Sequence, residues 1–506
     1  MSAKIRRQSI VSSIIIYAGF AVGFLNTTLL GQEDLFSSEE NGLVFLMVKV
    51  ASLIASLATI AMPSYILKFY PYYKYRLKAD KNDMLSIALV VGLVGFLLVF
   101  LLGYTFENLV VRKYSANSPL FVNYYYWVYA LGFGLAFFNI LEAYSQSLQK
   151  PVIATFIKEV EWRSLTFILI ILFITGVIKD YSLFIKLYAL TYLGIALTLF
   201  IYLLSIGAIR FTIRISFVTK RIRKILTRFT SVVYLALIVS TLSQVFDTIV
   251  IGSVVEEGLK SVAIFTLAEL MTSVIQAPHR GVVNVATAHL ADAWKHKDLP
   301  RVNRIYVRSS INLLIASLFL FCLIALNFLD AIPFFGFKPE FATGYTAFLI
   351  MGTTRVIELG TGVNAQVIAT SRYWRFEVWS NILLLIMVLP LTYFFAKTFG
   401  IMGPPLAGLI AFTVYNCIRM YFIWKKFRLF PFNIKTLYNI VLAGAAFGIT
   451  WFLFRNLHGF WALSGRTLLF TGIYITGIYY FKFSPDLVPV LQSLKDRLLF
   501  LRKKSD

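Results

Sequence analysis

Apolar residues run through this chain in blocks of about 20, separated by short polar stretches, and within a block they do not alternate with polar positions. A block of that length crosses the roughly 30 Å hydrocarbon core of a bilayer as an α-helix, whereas a transmembrane strand needs only about ten alternating residues. Helices are therefore expected and a β-barrel is excluded. The blocks predict helices over 10–30, 43–66, 84–102, 120–146, 152–177, 183–204 and 230–251. They continue over 262–284, 309–329, 345–368, 376–395, 404–424, 437–454 and 467–481. The pattern is that of an all-α, polytopic membrane protein with about fourteen transmembrane helices. A basic amphipathic tail over 487–501 is expected to lie on the membrane surface.

A weak internal repeat divides the chain. FLNTTLLG at Phe24 to Gly31 ends the first predicted helix, and VFDTIVIG at Val245 to Gly252 ends the seventh. Phe45 and Phe265, Lys49 and Glu269, and Gln146 and Gln366 share an offset of about 220 residues. Six helices separate the copies, an even number, so the two six-helix lobes would be related by a pseudo-twofold axis along the membrane normal. The expected organisation is an N-terminal lobe over 1–208, a basic linker over 209–229 and a C-terminal lobe over 230–426. Two additional helices over 427–485 and the tail over 486–506 follow.

Composition fixes the solvent. The chain is 59% hydrophobic and 14% charged, and its mean hydropathy is +0.77, which a water-exposed surface of this size would not tolerate. The net charge of +24 would point to nucleic acid in a soluble protein. Here the basic residues sit in short loops beside apolar segments, where they orient the chain and meet anionic headgroups, so no nucleic-acid partner is expected. Between the predicted helices, roughly 33 Lys and Arg fall on the N-terminal side and roughly 8 on the other, which places both termini in the cytoplasm. The opposite loops are short and acidic, as in Glu33, Asp34, Glu39 and Glu40. Lys4, Arg6 and Arg7 precede the first apolar run without a cleavage pattern after it, so that run reads as a retained helix. Cys322 and Cys417 lie in apolar segments and predict neither disulfide nor metal site.

Ionisable residues deep in such helices cost several kcal/mol by the milder insertion scales and are functional candidates by default. Lys49 and Glu269 lie at matching depth, about 7 residues or roughly 10 Å into their helices. They are read either as an ion pair that forms in one transport state or as two side chains neutralised separately. Arg355 and Glu358 sit near the midplane on one helix face: an intrahelical pair, or an arginine fork offered to an anionic substrate. The run Lys158, Glu159, Glu161, Arg163 contains two self-neutralising pairs, Lys158 with Glu161 and Glu159 with Arg163. Glu142 adds a carboxylate able to accept a proton or to pair with Lys158 or Arg163. Arg280 follows Pro278, which kinks its helix and frees a carbonyl; its readings are a snorkelling cation and a ligand contact. Asn26 and Asp247 occupy equivalent repeat positions, where they frame a cation or proton site or are simply hydrated. Lys186 and Arg419 are expected to snorkel at helix ends.

No GxxxxGK[ST] phosphate loop, HExxH or zinc spacing occurs, so neither cofactor nor metal is expected. Asn26-Thr27-Thr28 matches a glycosylation sequon but falls inside a helix.

IRRQSIVSSIIIYAGFAVGFL, NGLVFLMVKVASLIASLATIAMPSYILKFYPYY, FDTIVIG and IQAPHRGVVNVATAHLADAW resemble the oligosaccharide-lipid flippase branch of the multidrug, oligosaccharidyl-lipid and polysaccharide exporter superfamily. The resemblance implies two six-helix lobes in a V around a cationic cavity, and movement of undecaprenyl-pyrophosphate-linked sugars between leaflets of the bacterial inner membrane. It implies membrane lipids and polysaccharide assembly proteins as partners, and a transporter rather than an enzyme. Arg280 falls where the family often has a basic pair after Pro, and His279 replaces the first of that pair. Tyr124, Tyr125, Tyr126 and Trp127 are read as an interfacial aromatic belt or as a sugar platform. Two rivals stand beside this reading. A cation-coupled drug exporter of the same fold expects acidic residues in the cavity, and a membrane glycan polymerase or ligase expects a long outer loop.

Overall fold

The computed structural model of the chain describes residues 3–484 and 486, apart from 33, 79, 80 and 213. Its helices are α1 (Ala3–Gly31), α2 (Ser38–Thr59), α3 (Met62–Arg76), α4 (Met84–Thr105), α5 (Glu107–Tyr114), α6 (Pro119–Asn123) and α7 (Tyr125–Ser147). They continue as α8 (Pro151–Phe156), α9 (Trp162–Ile174), α10 (Tyr181–Ala189), α11 (Thr191–Ser205), α12 (Phe217–Val254), α13 (Gly258–Lys295) and α14 (Leu299–Phe334). The remainder are α15 (Gly344–Gly360), α16 (Asn364–Ala369), α17 (Trp374–Phe399), α18 (Gly403–Phe427), α19 (Ile434–Phe454) and α20 (Phe460–Phe481). Each apolar block read from the sequence falls on one of these helices or on two consecutive ones. Ten segments among the described residues are long and apolar enough to cross a membrane. The protein is a multi-pass, all-helical membrane protein. The tail over 487–506 lies outside the described residues.

Several blocks are broken where the chemistry requires it. Block 43–66 stops at Ile60 and Ala61, which take positive φ values of 45° and 57°. Pro63 cannot donate to residue 59 and its ring would strike that carbonyl, so the helix ends and restarts with Pro63 in the first turn of α3, where a missing N–H costs nothing. Block 152–177 contains a π-turn, Ile157–Glu161, between α8 and α9. Block 345–368 divides at Gly362, whose φ is 69° and whose missing Cβ would come within 2.9 Å of Ser309 Oγ and the Ser310 backbone N. Ser310 Oγ donates to the Gly360 carbonyl at 2.5 Å, so α14 itself fixes this break.

The chain forms two compact units, Met1–Ala263 and Ile264–Asp506. In the first, α2 packs against α4, α7 and α12, α7 against α11, and α1 against α8, the π-turn and α9. In the second, α17 packs on α18, α15 on α14 and α18, and the α19–α20 hairpin on α14. Ile311, Leu314, Leu318 and Cys322 of α14 meet Ala443, Ala446, Phe470 and Tyr474 there, and the Tyr474 hydroxyl donates to Asn439 Oδ1 at 2.9 Å.

The sequence placed a linker over 209–229, but the chain is helical from Phe217 onward. Along its length α12 is tied to the first unit. Tyr234 donates to the Leu57 carbonyl at 2.9 Å and Thr241 to Ser56 Oγ at 3.0 Å. At its far end Ser118 Oγ donates to the Gly252 carbonyl at 2.6 Å, and Asn117 Nδ2 to that of Ser253 at 3.1 Å. Hydrogen bonds of this kind are worth on the order of 1 kcal/mol each, so together they hold the helix firmly.

Candidate functional site

In the first unit the π-turn organises the charges. Within this wider turn Lys158 does not meet Glu161; its Nζ reaches Glu142 Oε2 on α7 at 2.9 Å, which corrects the expected Lys158–Glu161 pair and selects the alternative in which Glu142 pairs with Lys158. Arg163 pairs with the Glu159 side chain as expected and also donates to the Glu159 backbone carbonyl at 2.8 Å. Its guanidinium lies 5.6 Å from the Phe20 ring centroid. Gly19 and Gly23 of α1 make room for it: a Cβ on Gly23 would stand 2.8 Å from Arg163 Nε. Asn26 is buried and donates through Nδ2 to the Arg163 carbonyl at 2.8 Å, so it ties α1 to α9 and is not a hydrated interfacial residue. Lys49 on α2, Asp247 on α12 and Lys186 on α10 are half-buried, and Thr27 and Thr28 bond back to carbonyls of their own helix.

The aromatic run divides. Tyr125 is buried, with its hydroxyl 2.7 Å from that of Tyr129 and donating to the Gly103 carbonyl at 3.1 Å. Tyr126 is exposed and donates to the Glu107 carboxylate, so only part of the run presents itself at the surface.

In the second unit Arg355 of α15 donates to Glu358 Oε2 at 2.6 Å, and its guanidinium stands 5.6 Å from the Phe412 ring of α18. Arg280 of α13 is exposed and, among the described residues, makes no hydrogen bond or ion pair. His279 lies within the fields of both Glu358 and Arg355. Glu269 is half-buried near the start of this unit.

Arg419 does not snorkel. It is buried, paired with Glu377 of α17, 3.2 Å from Ser380 Oγ and stacked 3.9 Å from the Tyr415 ring. A fully ionised arginine tolerates such a place only with a carboxylate and further acceptors around it. Glu377, Asn416, Asn364 and Thr361 escaped the sequence reading. Asn364 Nδ2 donates to Thr361 Oγ1 and to Asn416 Oδ1, both at 2.9 Å, across the break between α15 and α16. A second missed cluster joins α14 to the α19–α20 hairpin. Arg466 pairs with Asp330 and donates to the Phe454 and Leu457 carbonyls, while His458 Nδ1 lies 2.9 Å from Asp330 Oδ1. A polar residue spaced three or four from another along one helix was the available signal, and these partners come from different helices.

Neither a family model nor a curated protein sequence matches the chain. Solved structures do. A structure described as lipid II flippase MurJ in an inward closed conformation superposes with a TM-score of 0.74 at 14% identity, covering 95% of this chain and 100% of that one. The chain shares that structure's fold. A structure described as an inward-facing multidrug resistance MATE family transporter of the MOP superfamily matches with a TM-score of 0.62 at 15% identity, over 83% of this chain and 98% of its own. A MOP superfamily transporter from Pyrococcus furiosus, described by the reverse polarity of its binding pocket, matches at 0.55 with 16% identity over 83% and 95% of the two chains. The MurJ match covers more of this chain than either of the other two.

Proposed function

We propose that this MOP-fold protein is a flippase that moves a lipid-linked oligosaccharide, its sugars carried on undecaprenyl pyrophosphate, across the bacterial cytoplasmic membrane by alternating access. The carrying observation is two available cations in the second unit: Arg355, partly exposed and held by one carboxylate, and Arg280, exposed on the proline-containing helix α13. An anionic headgroup repays part of the cost of keeping such cations in the membrane. Arg163, bound by Glu159 and packed on α1, is a further candidate cation, in the first unit. Lys49, Glu269, Asp247, Asn26 and Glu142 are assigned to gating or coupling, on their positions in the repeat and in the polar layer of the first unit. Both termini face the cytoplasm in this reading, following the excess of Lys and Arg on that side. The product is surface polysaccharide or lipopolysaccharide precursor on the outer leaflet, where assembly proteins take it over.

The test is reconstitution. Wild-type protein in vesicles should translocate lipid-linked sugar, and Arg355→Ala at equal expression should not. Export of cationic dyes with lipid-linked sugars left unmoved would establish the multidrug exporter reading in its place.

A further inference from the structure

Three arginine–carboxylate pairs of the second unit lie within its long apolar helices, and they differ in how open they are. The Arg419 and Glu377 side chains are 5% and 17% exposed, and those of Arg466 and Asp330 are 8% and 12%. Those of Arg355 and Glu358 are 29% and 22% exposed. The most open pair also has the fewest partners. Arg419 has Ser380 and the Tyr415 ring besides its carboxylate, and Arg466 has three backbone carbonyls. Beyond Glu358, Arg355 has only the Phe412 ring among the described residues. A guanidinium carries five N–H donors in a fixed fork, and one of these is used. The first two pairs are closed in by further partners; the third is the more exposed and the less held.

Resting on the reading of Arg355 as an anion site, we propose that Glu358 is the specificity-determining residue of that site, an internal anion that occupies Arg355 until a diphosphate displaces it. Because Glu358 is three residues along the same helix, it competes at high effective concentration without entropic cost of arrival. A small singly charged anion gains too little to displace it. A diphosphate brings more charge and enough acceptor oxygens to engage the fork in two parallel hydrogen bonds, which a monodentate carboxylate does not match. When the headgroup leaves, Glu358 returns, so Arg355 is never left in apolar surroundings without a counter-charge. A site occupied by its own carboxylate nine-tenths of the time binds a competing anion about tenfold more weakly than the same site without it.

The experiment measures binding of inorganic pyrophosphate and of inorganic monophosphate to purified full-length protein by calorimetry. Wild type, Glu358→Gln, Glu358→Ala and Arg355→Ala are compared, each first shown to be monodisperse with an unchanged thermal midpoint. Glu358→Gln keeps the side-chain size, and Glu358→Ala removes any residual hydrogen bond from the amide. Both Glu358 variants should bind pyrophosphate about tenfold tighter than wild type and should acquire measurable monophosphate binding, while Arg355→Ala binds neither. If the Glu358 variants lose pyrophosphate binding as Arg355→Ala does, or match wild type, the competitor role is overturned and Arg355 stands as the anion site. If wild type and the Glu358 variants bind no better than Arg355→Ala, the anion-site reading fails and the proposal with it.

Discussion

The carboxylate of Asp83 accepts hydrogen bonds through one oxygen from the backbone N–H of Ser216 and from the hydroxyl of Thr219, each at 2.8 Å. Ser216 is the N-cap of α12, so a buried negative charge sits at the positive end of a 38-residue helix and fastens it to the start of α4. Thr219 passes the network on to Tyr73 at 2.7 Å and through it to Tyr65 at 2.8 Å.

Removing that carboxylate leaves the buried Ser216 N–H and the Thr219 hydroxyl without their acceptor. Asp83→Ala should therefore destabilise the detergent-solubilised protein by roughly 2–3 kcal/mol. Asp83→Asn keeps an acceptor oxygen and should lose about half as much. Denaturant or thermal unfolding reads both; equal losses from the two substitutions would mean that a neutral acceptor recovers nothing and the charge carries the contact, and a silent Asp83→Asn that the charge is irrelevant to it.

Gly19 and Gly23 both face the Glu159–Arg163 layer, but against different neighbours. A Cβ on Gly19 would press into the backbone carbonyl of Glu159, which cannot swing away, whereas one on Gly23 would meet the flexible side chain of Arg163. Gly19→Ala should cost about 1–3 kcal/mol, and Gly23→Ala clearly less. Thermal midpoints in one detergent decide the order, and a reversal would show that α1 does not lie as described.

The Arg419–Glu377 pair is buried, and breaking such a pair from one side typically costs about 3–5 kcal/mol because the other charge stays behind. Arg419→Met or Glu377→Met alone should lower expression and thermal stability sharply. The double substitution should recover most of the loss, since replacing both charges with apolar groups of similar volume is often neutral. Additive losses in that cycle would contradict the pairing.

Topology is checked by single-cysteine labelling in a background in which exposed Cys417 and buried Cys322 are replaced by Ser. Cysteines near Lys78, Arg221 and Lys297 should react only after the cytoplasm is opened, and those near Glu40 and Glu257 from outside intact cells. Labelling of the first set from outside would reverse the proposed orientation.

Hydropathy and charge asymmetry are carried by neighbouring residues, and what they carry was legible from the sequence. The all-helical membrane class, the position of each apolar block and the intrahelical pairs Glu159–Arg163 and Arg355–Glu358 all depend on spacing along one chain segment. The breaks at Pro63 and Gly362 were also present as residues, though Gly362 needed the adjacent Ser309 and Ser310 to show why no side chain fits. Tertiary structure alone decided the partners Arg419 with Glu377, Arg466 with Asp330, and Asp83 with Ser216, and it chose between Glu161 and Glu142, both read as partners for Lys158, in favour of Glu142. The π-turn at Ile157–Glu161 turned Lys158 toward α7, and α12 joined the first unit although the repeat assigned it to the second lobe. Which face of a helix meets which neighbour is set by rotation and crossing angle, and these follow from the packing of all the surfaces at once, not from any local run of residues.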